Sequence, residues 1–506
     1  MQSVTTVLEA LQLAPADRTA IIIPDSGVRV TYASLREQVC TMAETLAAAG
    51  IHRGHRVAIA LPNGLPAIVS FLAASIAGTA APMNPTYKYQ EFCFYLQDTS
   101  ARVLVCGQTD AYEARSAAAN LGIPILPVEI DAHGKVLLLG IDPKPWTTPP
   151  APEDIALILH TSGSTGRPKR VPLQHRHLAL SAANIVKTYA LAPDDVSLCF
   201  MPLFHVHGIV ASTLAPLLSG GTVVAPTGVN PLAFWRMVRE HRVTWYTAVP
   251  TIHQVVAGRA RGSDRPEAGG SLRFVRSASA PLAPETMRKM EEVFGVPVLE
   301  AYGMTEAAHQ MASNPLPPAP RKPGCVGLPT GIEISIMDDG GRHKPQGDRG
   351  EVVIRGPSIF LGYENNPEEN KTAFVDGWFR TGDEGWLDED GYLHLSSRIK
   401  ELINRAGEKV APRHIDEVLA EHPAVAEAVA FGMPDRTLGE EVAVAVVLRP
   451  GYTESDLMKF CRERLAHFEC PKKIFVVESI PKTATGKIQR RIVAATLCGG
   501  NKESVA

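Results

Sequence analysis

The chain has 506 residues, 45% hydrophobic and 20% charged, with 50 Lys/Arg against 53 Asp/Glu for a formal charge of −3. That length exceeds what one core organises and calls for two or more domains. The near-neutral balance argues against a nucleic-acid binder or a membrane-surface protein, and eight scattered cysteines without a Cys-x-x-Cys pair argue against a zinc ribbon or a disulfide framework.

Taken in chain order, positions 1–5 lack the basic and apolar regions of a signal peptide. Residues 32–49 have helical periodicity with Thr31 as the N-cap. Residues 56–61 read as a short buried strand closed by Pro62, 65–77 as an apolar helix and 102–106 as another strand. Strands alternating with helices predict an α/β fold with parallel sheets under helical cover, and the pattern continues at 155–160, 222–224, 244–246 and 272–275. The apolar stretches 57–82 and 209–226 are interrupted by Pro, Gly and Asn, as buried segments are and membrane spans are not. Beyond Pro315, short strands with Gly/Pro turns (332–336, 351–354) predict a smaller β-rich region. A boundary near 398–400 precedes a compact α+β unit: a helix at 413–421, strands at 425–431 and 442–448, a second helix, a strand at 474–477 and a polar loop at 481–487. The expected organisation is a body, 1–398, and a lid, 399–506. With residues 503–506 matching no peroxisomal or ER address, the expected location is the cytoplasm.

The most informative segment follows the strand at 155–160: Thr161-Ser162-Gly163-Ser164-Thr165-Gly166-Arg167-Pro168-Lys169-Arg170. Glycines let backbone N–H groups face one point, hydroxyls add donors, and lysine adds a mobile positive charge, which together make an anion cradle. Two residues, not four, separate Gly163 from Gly166, and no Gly-Lys-Ser/Thr follows, so this is not the usual NTPase loop. Further along, Glu300-Ala301-Tyr302-Gly303-Met304-Thr305-Glu306 ends an apolar strand with an aromatic ring and a carboxylate. An aromatic face can stack a base, and a carboxylate near phosphates suits Mg²⁺, which takes few protein ligands. Thr381-Gly382-Asp383 puts a carboxylate in a tight turn, suited to ribose hydroxyls, and Lys487 follows Gly486 on a mobile loop.

In this combination and order the chain resembles the adenylate-forming superfamily of acyl-CoA synthetases, luciferases and peptide-synthetase adenylation domains. The resemblance implies a large N-terminal domain of two αβ sheets plus a β-barrel subdomain, with a small mobile α+β C-terminal domain. It also implies a two-step ligase reaction in which an acid and ATP give an acyl-adenylate, and a thiol then takes the acyl group. Thr161, Ser162, Gly163, Ser164, Thr165, Gly166 and Lys169 would hold the pyrophosphate part of ATP. Ser279, Ala280, Glu300, Ala301 and Tyr302 would surround the adenine, Thr305 the α-phosphate, and Asp383 and Arg398 the ribose. Glu306 would bind Mg²⁺, Lys487 would steady charge at the α-phosphorus, and Lys400 would be the hinge. Arg170 stands where the superfamily has glycine, and the sequence leaves it open between phosphates and solvent.

Pro202-Leu203-Phe204-His205-Val206-His207-Gly208 bears on the acid. On a strand, histidines two apart share a face and could hold a metal. With no carboxylate or third histidine nearby in sequence, this is the lesser reading. By the resemblance His205 gates the acyl site, and His207, Thr251, Ser277 and His309 line it, with His253 in the same region. A pocket of imidazoles and hydroxyls is unsuited to a fatty chain, because unpaired buried polar groups are costly; it suits a small polar acid. Residues 204–208, 245–254, 313–317, 400–405 and 486–491 resemble the oxalate–CoA ligases of plants and fungi. ATP, Mg²⁺ and coenzyme A are then the expected cofactor and co-substrates, with Gly407, Glu408 and Lys409 and eight Lys/Arg between 462 and 491 facing CoA. The alternatives are a medium-chain or coumarate-type CoA ligase and, more remotely, a carrier-protein-loading enzyme.

Overall fold

The computed structural model describes residues 4–498, apart from 146–147, 162–167, 229, 261–269, 484–485 and the side chains of 455–456. The described strands form four sheets. One has seven strands, with Arg56–Ala60, Thr79–Pro82 and Ala101–Gly107 parallel at its centre and Ile155–Thr161 pairing with the edge strand Lys169–Gln174. The second has nine, with the parallel series Val196–Cys199, Trp245–Ala248, Phe274–Ser277 and Val298–Met304. These strands are almost continuous apolar runs, as expected where both faces are covered. The largest apolar core lies between the two sheets and takes in the helices Tyr32–Ala48, Leu65–Ala77 and His175–Thr188. Thr31 caps the first of these through Oγ1, which accepts from Ser34 N at 3.2 Å, and the apolar helix at 65–77 has the predicted bounds.

In the place expected for the barrel subdomain stands a five-stranded antiparallel sheet that includes Glu333–Met337, Gly350–Arg355, Trp378–Leu387 and Leu393–Arg398. The fourth sheet joins Ile403–Arg405, Glu408–Val410, Val425–Asp435, Gly439–Leu448 and Lys473–Val476, and helices Pro412–Ala420 and Glu454–Arg464 pack on it around a core of their own. Among the described residues no helix is long and apolar enough to cross a membrane.

One local departure positions the site. Residues His207–Leu214 form a π-helix, not a strand, so His205 and His207 are carried by a turn and a helix start. Gly208 is required there: a Cβ would lie 2.2 Å from the Pro202 carbonyl oxygen. The pairing of i and i+2 on one strand face therefore does not arise, and among the described residues no group of three or more His, Cys, Asp or Glu could hold a metal.

Candidate active site

Ala248, Ser277 and Glu300 stand side by side in register near the carboxyl ends of three neighbouring parallel strands. In open α/β sheets, the crevice beyond such ends is where ligands bind. Thr161 and Lys169 face each other at the mouth of their hairpin; Ser162, Gly163, Ser164, Thr165 and Gly166 lie outside the described residues.

Asp383 and Arg398 are cross-strand partners in the antiparallel sheet, and Arg398 Nε lies 2.6 Å from Asp383 Oδ1. The other carboxylate oxygen accepts from the Tyr302 hydroxyl, which joins this sheet to the end of Val298–Met304. Glu306 is buried in the short 3₁₀ turn Thr305–Ala307, beside buried Thr305. Its Oε1 accepts from Tyr363 at 2.8 Å, and burial, opposed by the charges of Arg398 and Lys169, raises its affinity for a proton. A buried carboxylate whose hydrogen-bonding side chain is a neutral phenol suits a hard divalent cation that keeps most of its water. Lys169 Nζ rests on Glu369 and 4.8 Å above the Tyr363 ring.

Lys487 reaches this cluster from the lid. Its ammonium is held below the usual lysine range by burial and then by Arg398, against the pull of Asp383 and Glu306. Its charge is felt in turn at His205 and His309. The loop is pinned by Thr483, whose Oγ1 accepts from Lys487 N at 3.1 Å. Gly486 has φ +82 and sits so close to the body that a Cβ would meet Thr251 Oγ1 at 2.9 Å.

The imidazoles that feel this charge form a group of their own. Burial, and then the Lys487 charge, pushes His205 down to about 3. His207 and His309 stack with centroids 5.0 Å apart, and burial holds both well below the ordinary histidine range. His207 Nδ1 is 2.9 Å from Ser279 Oγ and Nε2 is 2.6 Å from Thr247 Oγ1. Ser277 Oγ is buried without a hydrogen-bond partner. Half-buried Ala280 lies in the bend after the strand Phe274–Ser277, and buried Ala301 is in the middle of Val298–Met304. His253 does not join the wall: its Nδ1 meets the Tyr246 hydroxyl at 2.8 Å and its Nε2 the Ala248 carbonyl at 3.1 Å, inside the core.

Behind the imidazoles is a residue the sequence reading passed over. Arg276 is fully buried in Phe274–Ser277. A guanidinium in the middle of an apolar strand was the available signal. It touches Tyr189, Thr247, His207, His309 and Gln310, all uncharged or held neutral. Tyr363 was also missed, since a tyrosine in a polar loop carries no pattern.

Glu300 meets the lid. Oε1 accepts from Leu282 N at 3.0 Å and lies 3.8 Å from Arg413 of the lid helix, and Oε2 is buried without a hydrogen bond. Burial, partly offset by Arg413, pushes this carboxyl up to about 7. Arg170 settles on neither of its alternatives: it lies between Asp98 (3.5 Å) and Glu364 (3.4 Å) in a network that also holds His160 and Arg56. Lys400 is exposed in the turn Ile399–Glu401, and Gly407, Glu408 and Lys409 are exposed on a lid hairpin, away from the imidazole wall. Much of the basic C-terminal stretch is neutralised within the lid, where Arg464 pairs with Glu421, Lys482 with Glu427 and Arg490 with Glu401 and Asp416.

Comparison with known proteins agrees with this arrangement. The AMP-binding enzyme family matches residues 8–364, and the AMP-binding enzyme C-terminal domain matches 414–487. The chain is 45% identical to an oxalate–CoA ligase of Arabidopsis thaliana, over 94% of this chain and 95% of the relative. It is 40% identical to an oxalate–CoA ligase of Saccharomyces cerevisiae, over 99% of each. An ATP-bound crystal structure of MatB from Rhodopseudomonas palustris superposes with a TM-score of 0.89 at 30% identity, covering 97% of this chain and 98% of that one. The chain belongs to the AMP-binding enzyme family and is an acid–thiol ligase of it.

Proposed function

We propose that the enzyme joins oxalate to coenzyme A, converting ATP to AMP and diphosphate through an oxalyl-adenylate. The observation that carries the adenylation step is the position of Lys487. Its loop packs on Thr251 and Val249 of the body, and its ammonium interacts electrostatically with Arg398, Asp383 and Glu306 as well as with His205 and His309.

A nucleotide on the first cluster and an acid on the second would meet under that ammonium. One carboxylate oxygen of the acid attacks the α-phosphorus and diphosphate leaves. A fixed positive charge in an enclosed site stabilises the negative charge that builds on the phosphoryl oxygens. In this reading Asp383 and Arg398 hold the ribose, and Ser279, Ala280, Glu300, Ala301 and Tyr302 hold the base. Thr305 contacts the α-phosphate, and the loop from Thr161 to Lys169 holds the diphosphate. Glu306 would hold Mg²⁺, which supplies charge neutralisation on the phosphates when bound. Thiol attack on the acyl carbon then breaks the carbon–oxygen bond to AMP. For that step the lid, 399–506, turns against the body, 1–398, about Lys400, withdrawing Lys487 and bringing Gly407, Glu408 and Lys409 to the cleft; such hinge motions are a common enzymatic device.

Two lines support oxalate as the acid. The wall of His207, His309, Thr251 and Ser277, with the Arg276 charge behind it, suits a small dianion and offers little to an alkyl chain. The plant and yeast relatives named as oxalate–CoA ligases match over nearly the whole chain. A cytoplasmic location is proposed alongside. The test is ATP- and CoA-dependent AMP release with oxalate, malonate, acetate, hexanoate and coumarate. Oxalate is expected to give the highest kcat/KM, and activity confined to hexanoate or coumarate overturns the reading.

A further inference from the structure

Arg276 is fully buried, and its partners among the described residues include no carboxylate. A guanidinium has five N–H donors and no acceptor. Here Nε–H meets the Tyr189 hydroxyl at 2.8 Å. Nη1–H is shared between Thr247 Oγ1 at 2.9 Å and His207 Nε2 at 3.4 Å, two acceptors only 2.6 Å apart. The Nη2 hydrogens meet Gln310 Oε1 at 3.0 Å and His309 Nε2 at 3.1 Å. Each of its three nitrogens is thus engaged inside the protein, and its influence on a bound acid passes through these neighbours.

The direction of that influence follows from which atoms must accept. His309 Nε2 faces an N–H of a cation, so it accepts and the ring carries its proton on Nδ1. No described residue hydrogen-bonds to that Nδ1. His207 Nε2 likewise faces an N–H of Arg276, at 3.4 Å, so it accepts, and the Thr247 hydroxyl donates to it across 2.6 Å. His207 Nδ1–H then donates to Ser279 Oγ at 2.9 Å. That leaves the Ser279 hydroxyl hydrogen for an acceptor in the cleft. Ser279 is half-buried, with a left-handed φ of +69 that few side chains adopt. The stacking of the two rings at 5.0 Å, tilted by 26°, fits uncharged imidazoles.

We propose that Arg276 is a positioning residue of the acyl pocket: it fixes His309 and, together with Thr247, His207 as Nδ1–H tautomers, so the wall turns hydrogen-bond donors toward the carboxylate of the acid that does not react. The idea rests on the oxalate reading for the identity of that acid and on this geometry alone for the tautomers. A pocket built this way presents donors to an anion while the Arg276 charge stays sealed behind the rings.

The test uses full-length enzyme labelled with ¹⁵N-histidine, with the two rings assigned through His207→Gln and His309→Gln. In the free enzyme both rings are expected as Nδ1–H tautomers with unprotonated Nε2. Arg276→Met should shift His309 away from that tautomer. It should raise the KM for oxalate roughly 10- to 100-fold, the scale of a charge-assisted hydrogen bond, with the KM for ATP unchanged. Arg276→Lys, which still donates, should restore the His309 signal and part of the KM. A wild-type His309 protonated on Nε2 overturns the proposal whether or not the methionine variant folds. So does a methionine variant with unchanged tautomers and unchanged KM for oxalate. An acid panel that prefers another substrate while the tautomers stand as stated overturns the oxalate reading and supports the positioning role.

Discussion

Gly486 of the lid packs against Thr251 of the body, and a Cβ on the glycine would lie 2.9 Å from the threonine Oγ1 and 3.1 Å from Val249 Cγ2. This contact sets how deeply the loop that carries Lys487 can enter the cleft. Gly486→Ala adds both a clash and a side chain at φ +82, a conformation that costs L-residues roughly 1–2 kcal/mol. Adenylate formation, followed by acid-dependent pyrophosphate exchange, should fall by about tenfold on that scale. An unchanged exchange rate would show that the loop need not dock.

Lys487→Ala removes the charge itself. Loss of one preorganised contact to developing charge slows a reaction by about 10²–10³-fold, and that loss is expected in adenylate formation. Thioester formation from preformed adenylate should be much less affected, while Lys400→Pro, stiffening the turn Ile399–Glu401, should show the opposite imbalance. Single-turnover measurements of the two half-reactions separate the cases, and equal losses in both would remove the assigned roles.

Glu300 makes stability depend on pH in a definite direction. Its carboxyl rises from 4.5 to about 7, first through burial and with Arg413 opposing. The folded chain therefore binds this proton more tightly than the unfolded chain, and the associated stability is complete below about pH 4.5 and lost as pH rises through about 7. At 1.36 kcal/mol per unit the difference is roughly 3 kcal/mol. Glu300→Gln should gain stability relative to the parent between pH 5 and pH 8, measured by chemical denaturation. Parallel profiles would contradict the assignment.

Arg170→Gly breaks the contacts to Asp98 and Glu364. These side chains are partly buried, so the cost should fall between that of a surface pair and that of a fully buried one, on the order of 2 kcal/mol. The variant should melt earlier while its KM for ATP stays close to the parent value. A large rise in KM for ATP with an unchanged Tm would place Arg170 on the phosphates.

What the sequence made legible depended on repetition and on local chemistry. The buried strands at 56–60, 155–161 and 222–224 and the helix at 65–77 are uniform apolar runs, and their observed bounds agree with the expected ones to within a residue. Asp383 and Arg398 were expected together only through the resemblance, and Asp383 lies within the strand Trp378–Leu387, not in the tight turn expected of it. The π-helix at His207–Leu214 was not visible, because it depends on the close approach of Gly208 to a carbonyl supplied by the preceding turn. Arg276 stayed hidden because its partners meet only in the folded chain: Tyr189 follows the helix His175–Thr188, Thr247 lies on Trp245–Ala248, His207 starts the π-helix, and His309 and Gln310 share the strand His309–Ser313. The contact of Glu300 with Arg413 was not legible, because the partner lies 113 positions away in the lid.

The central claim is that an acid oxygen attacks the α-phosphorus of ATP beneath Lys487. The most direct measurement supplies oxalate labelled with ¹⁸O in both carboxylates, together with ATP and coenzyme A, and follows the label by mass spectrometry. One ¹⁸O atom should appear in AMP for each thioester formed, with none in the diphosphate. Label in inorganic phosphate, accompanied by ADP, would contradict the account.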